Sequence, residues 1–503
     1  MKPARHAREQ GVRPQPLAPE EITLDPDDWE AFRAQAHGAL DTMVNYLRDV
    51  RERPAWQPLP EEVKNRLHEA LPERAQGLET VLESFRRDVL PYPSGNVHPR
   101  FWSWVSGTGS PVGMLADLLA SGMNTLGLGF DDTAPSRVEM QVLDWFKELF
   151  GFPRESSGLL VSGGSMANLV GIAVGRTAKA GYDVRRRGTN APDEPALVVY
   201  ASSETHSSAQ KAVELLGIGS ARYRVIPVNA QFEIDVEALH AQIHADGDAG
   251  LQPAILIGNA GTVNTGAIDP LDHLADIAAG HDLWYHVDGA FGAIARLSAS
   301  PPANLRGLER ADSLAFDPHK WLHQPYNVGA VLVRHARRHE ETFHIAPAYL
   351  DKLDGGVAAG PVNFNALGVQ LSRSFAALRV WMSFKVYGVE RFRALTQQNL
   401  DQAQYLDRLV RGEKALELLA PTALNIVNYR YNPGGLSPEA LDELNKRLLV
   451  EMQVRGIAAP SSTRLDGRFS IRVCITNHRS RRVDFDVLVA ETTRLGHELE
   501  RAS

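Results

Sequence analysis

The chain is poor in cysteine, in long apolar runs and in basic excess, and each shortage excludes something. A single cysteine, Cys474, among 503 residues rules out an internal disulfide and a cysteine-built metal centre, and it fits a reducing compartment. No window approaches the roughly 18 uncharged apolar residues of a membrane span. The opening MKPARHAREQGVRPQPLAPEE is charged but lacks the apolar core of a secretory signal. The expectation is a cytoplasmic protein with a disordered, Pro-rich leader over residues 1–24. A net charge of -8, with basic residues scattered apart from short clusters such as Arg185 to Arg187, leaves no nucleic-acid footprint. No GxxxxGK[ST] loop occurs, and GTGSPVG (107–113) and GIGSAR (217–222) fail to complete a dinucleotide fingerprint. HEETFH (339–344) spaces its histidines by five instead of four, so no zinc-protease pair forms and no metal is expected. There is no internal repeat.

What is present reads as an ordinary globular chain, 44% hydrophobic and 23% charged. At roughly 150 residues per domain it makes two to four domains. Asp25-Pro26-Asp27-Asp28 suits a helix start, and Trp29, Phe32, Ala36, Leu40, Met43 and Leu47 then recur at helical spacing. Residues 25–110 are therefore expected as a helical segment with one apolar face that packs against something else. From about residue 160, strand-like LVVYAS (197–202), YRVIPV (223–228), AILIGNAG (254–261) and LWYHVD (283–288) alternate with helical patterns near 207–217, 235–245 and 270–281. That alternation predicts βαβ units and a mostly parallel sheet. SLAF (313–316) and VGAVLV (328–333) are only 11 residues apart, too few for a crossover helix, so an antiparallel strand is expected. LNIVNYRY (424–431), a helix near 437–455, RFSIRVCI (468–475) and a helix near 483–500 predict a small C-terminal α/β domain. The expected division is a large domain over 111–385 and a small one over 386–503.

Three stretches carry chemistry. In GLLVSGGSMANLVGIAVG (158–175) an apolar strand ends in Ser162-Gly-Gly-Ser165 and a helix begins at once. Free N–H groups there suit an anion such as phosphate. A plain capped turn and a serine-nucleophile elbow are the competing readings. In YHVDGAF, Asp288 ends an apolar strand, where open α/β sheets bind ligands, although a lone strand-end aspartate is more often a cap. In DPHKWLHQPY, Lys320 stands 32 residues later at the end of another apolar run, an awkward place for an ammonium group without a task. Pyridoxal phosphate needs these three things together: an amine for a Schiff base, a carboxylate for its pyridine nitrogen and an anion site. Lys320, Asp288 and Gly164-Ser165 supply them.

HVDGAFGA and DPHKWL, with VSGGSMANLVG, HSSAQKA (206–212) and NAGTVNTGAIDP (259–270), resemble the group II pyridoxal-phosphate-dependent amino-acid decarboxylases over about residues 30–490. The resemblance implies an α/β, fold-type I PLP-dependent transferase fold with a mostly parallel seven-stranded sheet. It also implies a homodimer with active sites at the subunit interface and the helical N-terminal segment packed on the partner subunit. Lys320 would hold the cofactor, Asp288 would pair with its pyridine nitrogen, and His206 would stack on its ring and orient the substrate carboxylate. Gly164, Ser165 and Ser313 would hold the phosphate, with Thr262, Ala290 and His319 lining the cofactor. Tyr349, in the segment 344–366, matches the family's proton donor. Relatives with phenylalanine there tend toward aldehyde synthesis, so Tyr349 argues for simple decarboxylation. The expected substrate pocket draws on Phe101, Trp102, Trp104, Leu126, Leu128 and Phe130, with Arg100 as its one cation. That composition favours an aromatic amino acid. Arg100 keeps an acidic or diamino substrate open, as does the family's range, and aldehyde synthesis or other chemistry on the same cofactor also stays open.

Overall fold

The structure, a computed structural model, describes residues 22–129, 131–189, 191–345 and 353–501. The expected leader lies almost wholly outside these residues. Chain entry is set by Asp28, whose carboxylate accepts from the N–H groups of Glu30 and Ala31 and so caps helix α1 (Trp29–Arg48). No residue of α1 is buried.

Ten further helices of nine or more residues are described. They are α2 (Pro111–Met123), α3 (Ala134–Phe150), α4 (Gly164–Lys179), α5 (Ser207–Leu215), α6 (Val236–Asp248), α7 (Leu271–Gly280), α8 (Ala377–Tyr387), α9 (Val389–Gly412), α10 (Pro438–Val454) and α11 (Arg482–Arg501). The strands are β1 (Phe101–Trp102), β2 (Ser157–Val161), β3 (Leu197–Ser202), β4 (Tyr223–Ile226), β5 (Gln252–Asn259) and β6 (Trp284–Asp288). Then follow β7 (Ser313–Phe316), β8 (Gly329–Val333), β9 (Leu416–Leu418), β10 (Ile426–Tyr431), β11 (Ala459–Leu465) and β12 (Arg468–Cys474).

A seven-stranded sheet runs in the order β2-β8-β7-β6-β5-β3-β4. Neighbours from β4 through β7 pair in parallel, as the alternating pattern predicts, and β8 runs antiparallel to both β7 and β2. The short link before β8 thus behaves as its length requires. Helix α4 lies directly on this sheet because two of the residues that face it, Gly171 and Gly175, have no side chain. A Cβ on Gly171 would come 2.6 Å from the His286 ring, and one on Gly175 would come 2.6 Å from Trp284.

The smaller sheet has the order β1-β11-β12-β10-β9 and packs its own core around Tyr429, Ile471 and Phe485. Here the structure adds to the sequence reading. The N-terminal segment is not helical throughout: β1 leaves it to pair in parallel with β11, matching Phe101 to Ala459. Among the described residues, no helix is long and apolar enough to cross a membrane.

Candidate active site

A cavity of about 620 Å³ opens at the carboxyl ends of the parallel strands. Strand register builds its floor. Asn259 at the end of β5 lies beside Asp288 at the end of β6, and Asp288 lies beside Ala315 of β7. The turn that leaves β7 then brings Asp317, His319 and Lys320 to the same opening.

Asp288 is buried and held at both oxygens: Oδ1 accepts the Ala290 N–H at 3.1 Å and Oδ2 accepts Asn168 Nδ2 at 2.8 Å. Asn168, on α4, also donates to Ser208 Oγ at 2.9 Å. Its amide orientation is thereby fixed, so Oδ1 can only accept, and His286 Nε2, 3.0 Å away, carries the proton. Burial pushes the His286 pKa down to about 4, so this ring is neutral near pH 7. Its Nδ1 then accepts from the Ser313 hydroxyl at 2.8 Å, and Ser313 Oγ accepts from Trp284 Nε1 at 2.8 Å.

Ser313 is therefore a correction to the phosphate assignment. It opens β7 at the end remote from the cavity, is fully buried, and has its hydroxyl committed to His286 and Trp284. Free backbone N–H groups that could take an anion border the cavity at the start of α4. Gly163 caps this helix with no side-chain bond, and its carbonyl receives the N–H groups of Met166 and Ala167. The N–H groups of Gly164 and Ser165 come earlier in the turn, where a helix has no acceptor of its own.

Lys320 Nζ lies 2.9 Å from Asp317 Oδ2. Burial alone would lower the lysine pKa, but the Asp317 charge, its hydrogen bond and Asp288 outweigh that, and the net direction is upward. Asp317 itself is 1% exposed, and its Oδ1 is buried without a hydrogen-bond partner. A Cβ on Gly164 would lie 2.8 Å from Asp317 Oδ2, so only glycine lets the helix start approach the lysine turn.

The remaining expected residues divide. His206 caps α5: its Nδ1 accepts the Ser208 N–H at 3.2 Å and pairs with Ser208 Oγ at 2.8 Å, while its ring borders the cavity. His206 thus serves as a helix cap while its ring remains available to the cavity. Burial lowers its pKa, against the pull of Asp288. Thr262, Ala290, Gly164 and Ser165 line the cavity, as does His319, whose Nδ1 lies 2.8 Å from the Val328 carbonyl oxygen. Trp104 lines it too, but Phe101, Leu126 and Leu128 do not. Phe101 packs with Ala55 and Ala459, and Trp102 belongs to the core of the small sheet. Arg100 is also absent from the lining, which among the described residues contains no arginine. Tyr349 and Phe130 lie outside the described residues.

Sequence reasoning missed Asn168, Asp317 and Arg472. Arg472 is 3% exposed and spends its guanidinium on backbone carbonyls, at 2.9 Å from Trp104, at 3.2 Å from Asn264, and on Val263. It ties two cavity-lining residues, Trp104 and Val263, to β12. A cation in the middle of the run FSIRVCI (469–475) was the available signal. A larger depression, about 1360 Å³, is bordered by Arg48, Arg51, Arg296 and Arg393 and contains none of the expected site residues.

The donor set fits pyridoxal phosphate: an amine on Lys320, a fixed carboxylate on Asp288, and free N–H groups at the start of α4. The pyridoxal-dependent decarboxylase conserved domain matches residues 60–432. The chain belongs to this family. It is an amino-acid decarboxylase that uses pyridoxal phosphate. Aromatic-L-amino-acid decarboxylase of Bacillus atrophaeus is 37% identical over 454 residues, covering 90% of this chain and 92% of that one. Oryza sativa TDC, solved with PLP and tryptamine, superimposes with a TM-score of 0.86 at 26% identity, covering 95% of this decarboxylase and all of that chain. Catharanthus roseus tryptophan decarboxylase in complex with L-tryptophan gives 0.83 at 25% identity, over 94% and 100% of the two chains.

Proposed function

We propose that this decarboxylase converts an aromatic L-amino acid to its amine and carbon dioxide, and that it works as a cytoplasmic homodimer. The observation that carries the reading is the convergence of Lys320, Asp288 and the N-terminus of α4 on one cavity whose described lining holds no arginine. A buried acidic side chain on the substrate would need such a partner. The likeness to Bacillus atrophaeus aromatic-L-amino-acid decarboxylase supports the same class.

When bound, pyridoxal phosphate supplies the electron-accepting ring that receives the bonding pair as carbon dioxide departs. Asp288, pinned by Asn168 and Ala290, holds a proton at the pyridine nitrogen and keeps that ring electron-poor. Lys320 is the amine that would attach the cofactor. Gly164 and Ser165 would receive the phosphate, and Thr262, Ala290 and His319 would wall the cofactor. His206, its ring set by Ser208, orients the substrate carboxylate. Tyr349 returns the proton to the reacting carbon.

The dimer is supported by uncovered apolar surface. Trp29 and Phe32 on α1 and Leu118, Leu119 and Met123 on α2 are all at least 40% exposed. Leu126, 59% exposed just beyond α2, continues the second patch. Such faces mark association sites. In the dimer Leu126, exposed beside this face, belongs to the wall of a substrate pocket shared between the two copies.

The deciding experiment is carbon dioxide release across aromatic, acidic and basic L-amino acids, with the amine identified by mass spectrometry. Release from tryptophan, tyrosine, phenylalanine or DOPA at least tenfold above the others is expected. A clear preference for glutamate or diaminobutyrate would overturn the substrate assignment. Size measurement by light scattering tests the dimer.

A further inference from the structure

Outside the active site, one surface cluster carries unused chemistry. His240 and His244 stand one turn apart on α6 and share a face. His281, the C-cap residue of α7, brings a third ring against them, with centroids 6.0 Å from His240 and 5.3 Å from His244. Each residue offers a ring nitrogen within 4.8 Å of the other two. His273, earlier on α7, sets a fourth ring 6.4 Å from His240.

A buried histidine with a structural task can commit both ring nitrogens. His339, for example, lies 2.7 Å from Ser157 Oγ through Nδ1 and 2.7 Å from the Leu367 carbonyl through Nε2. Among the described residues, no protein group holds the ring nitrogens of His240, His244 or His281. Three converging and unheld imidazoles are a ligand set.

We propose that His240, His244 and His281 bind one divalent transition-metal ion of the zinc, nickel and copper class. Imidazole nitrogen suits these ions, whereas calcium and magnesium need oxygen ligands that this set lacks. Zinc–nitrogen bonds of about 2.0–2.1 Å put tetrahedral neighbours about 3.4 Å apart. Side-chain rotation closes that gap from the present spacing, with both helices left in place. His244 is exposed and the other two are half-buried, so the site is open to solvent, and water or His273 takes the fourth position. The bound ion clips α6 to α7, the helices that lead into and out of β5 along the chain.

The test uses the untagged, cofactor-loaded enzyme, stripped with EDTA and titrated calorimetrically with Zn²⁺ and then Ni²⁺. One ion per chain is expected, released again by EDTA, with a rise in thermal midpoint at saturating Zn²⁺. The double variant His240→Asn/His244→Asn and the single variant His281→Asn should each bind at least tenfold more weakly. Both should keep the metal-free rate of carbon dioxide release, because none of these residues lines the active-site cavity. Cofactor-borne binding is common to all three proteins and cancels in the comparison. Wild-type affinity in either variant, or weak uptake of several ions identical in all three proteins, overturns the proposal.

Discussion

Gly107→Ala tests how tightly the wall carrying Trp104 is set against the lysine turn. A Cβ on Gly107 would lie 1.6 Å from the His319 carbonyl oxygen and 3.4 Å from Lys320 Cα. Restoring an ordinary contact of 3.4 Å at that oxygen demands a displacement of about 1.8 Å. Neither side can yield locally. The Gly107 N–H donates to Tyr326 Oη at 2.7 Å, its carbonyl accepts Asn96 Nδ2 at 2.7 Å, and the His319 N–H is bonded to Val328. Because a misplacement near 1 Å can cost about a hundredfold, we expect kcat to fall roughly 100-fold or more. The assay is carbon dioxide release on cofactor-saturated protein whose circular dichroism matches the wild type. Gly247→Ala, where nothing lies within 4 Å, is the control and should be unchanged. Tyr326→Phe removes one hydrogen bond without a clash and should cost roughly 2- to 10-fold, which keeps the test alive if Gly107→Ala fails to fold. Activity of Gly107→Ala within threefold of wild type would refute the reasoning.

Asn168→Ala removes a donor to the Asp288 carboxylate, a bond worth about 1.5–3 kcal/mol, so cofactor affinity measured by absorbance titration should weaken by up to roughly 10- to 150-fold. Unchanged affinity would show that Ala290 alone positions Asp288. Asp317→Asn removes the main influence that raises the Lys320 pKa and leaves burial less opposed. Since only the neutral amine attaches the cofactor, the rate of attachment to apoenzyme, which rises with pH, should reach its midpoint at lower pH in the variant. Superimposable profiles would remove Asp317 from that role. Lys320→Ala should lose the covalently held cofactor and its visible absorbance, while Ser165→Ala retains activity well above that variant; the reverse ranking would revive a serine nucleophile. Tyr349→Phe should shift product from amine toward aldehyde, followed by joint assay of amine, aldehyde and peroxide, and amine alone at the normal rate would end the proton-donor assignment.

The central sheet was legible because its strands are apolar runs punctuated by helices, so LVVYAS and SLAF coincide with β3 and β7. YRVIPV was read two residues too far, since Pro227 has no N–H to continue the ladder. Strand β11 escaped notice because APSSTRL is mostly polar, and β1 because two residues carry no period. Asp288 and Lys320 were legible from chemistry alone, as charged groups at the ends of buried runs. Asn168 was not, because an amide inside the apolar stretch ANLVGIAVG declares itself only when its three partners are in place. Ser313 failed for a geometric reason: a strand has two ends, and residue type does not say which one faces the ligand.

The pairing of β1 with β11 has a consequence for synthesis. Lys320 and Asp288 leave the ribosome well before β11 exists to hold Phe101, and Arg472, which fixes Trp104 and Val263, emerges later still. At roughly 5–20 residues per second, the chain between positions 320 and 459 takes on the order of 7 to 28 seconds to make. Throughout that interval the nascent protein carries a reactive amine and its carboxylate without the wall that shields them. Stable loading with cofactor therefore belongs to the finished chain, and truncated products will carry the chemistry of the site without its enclosure.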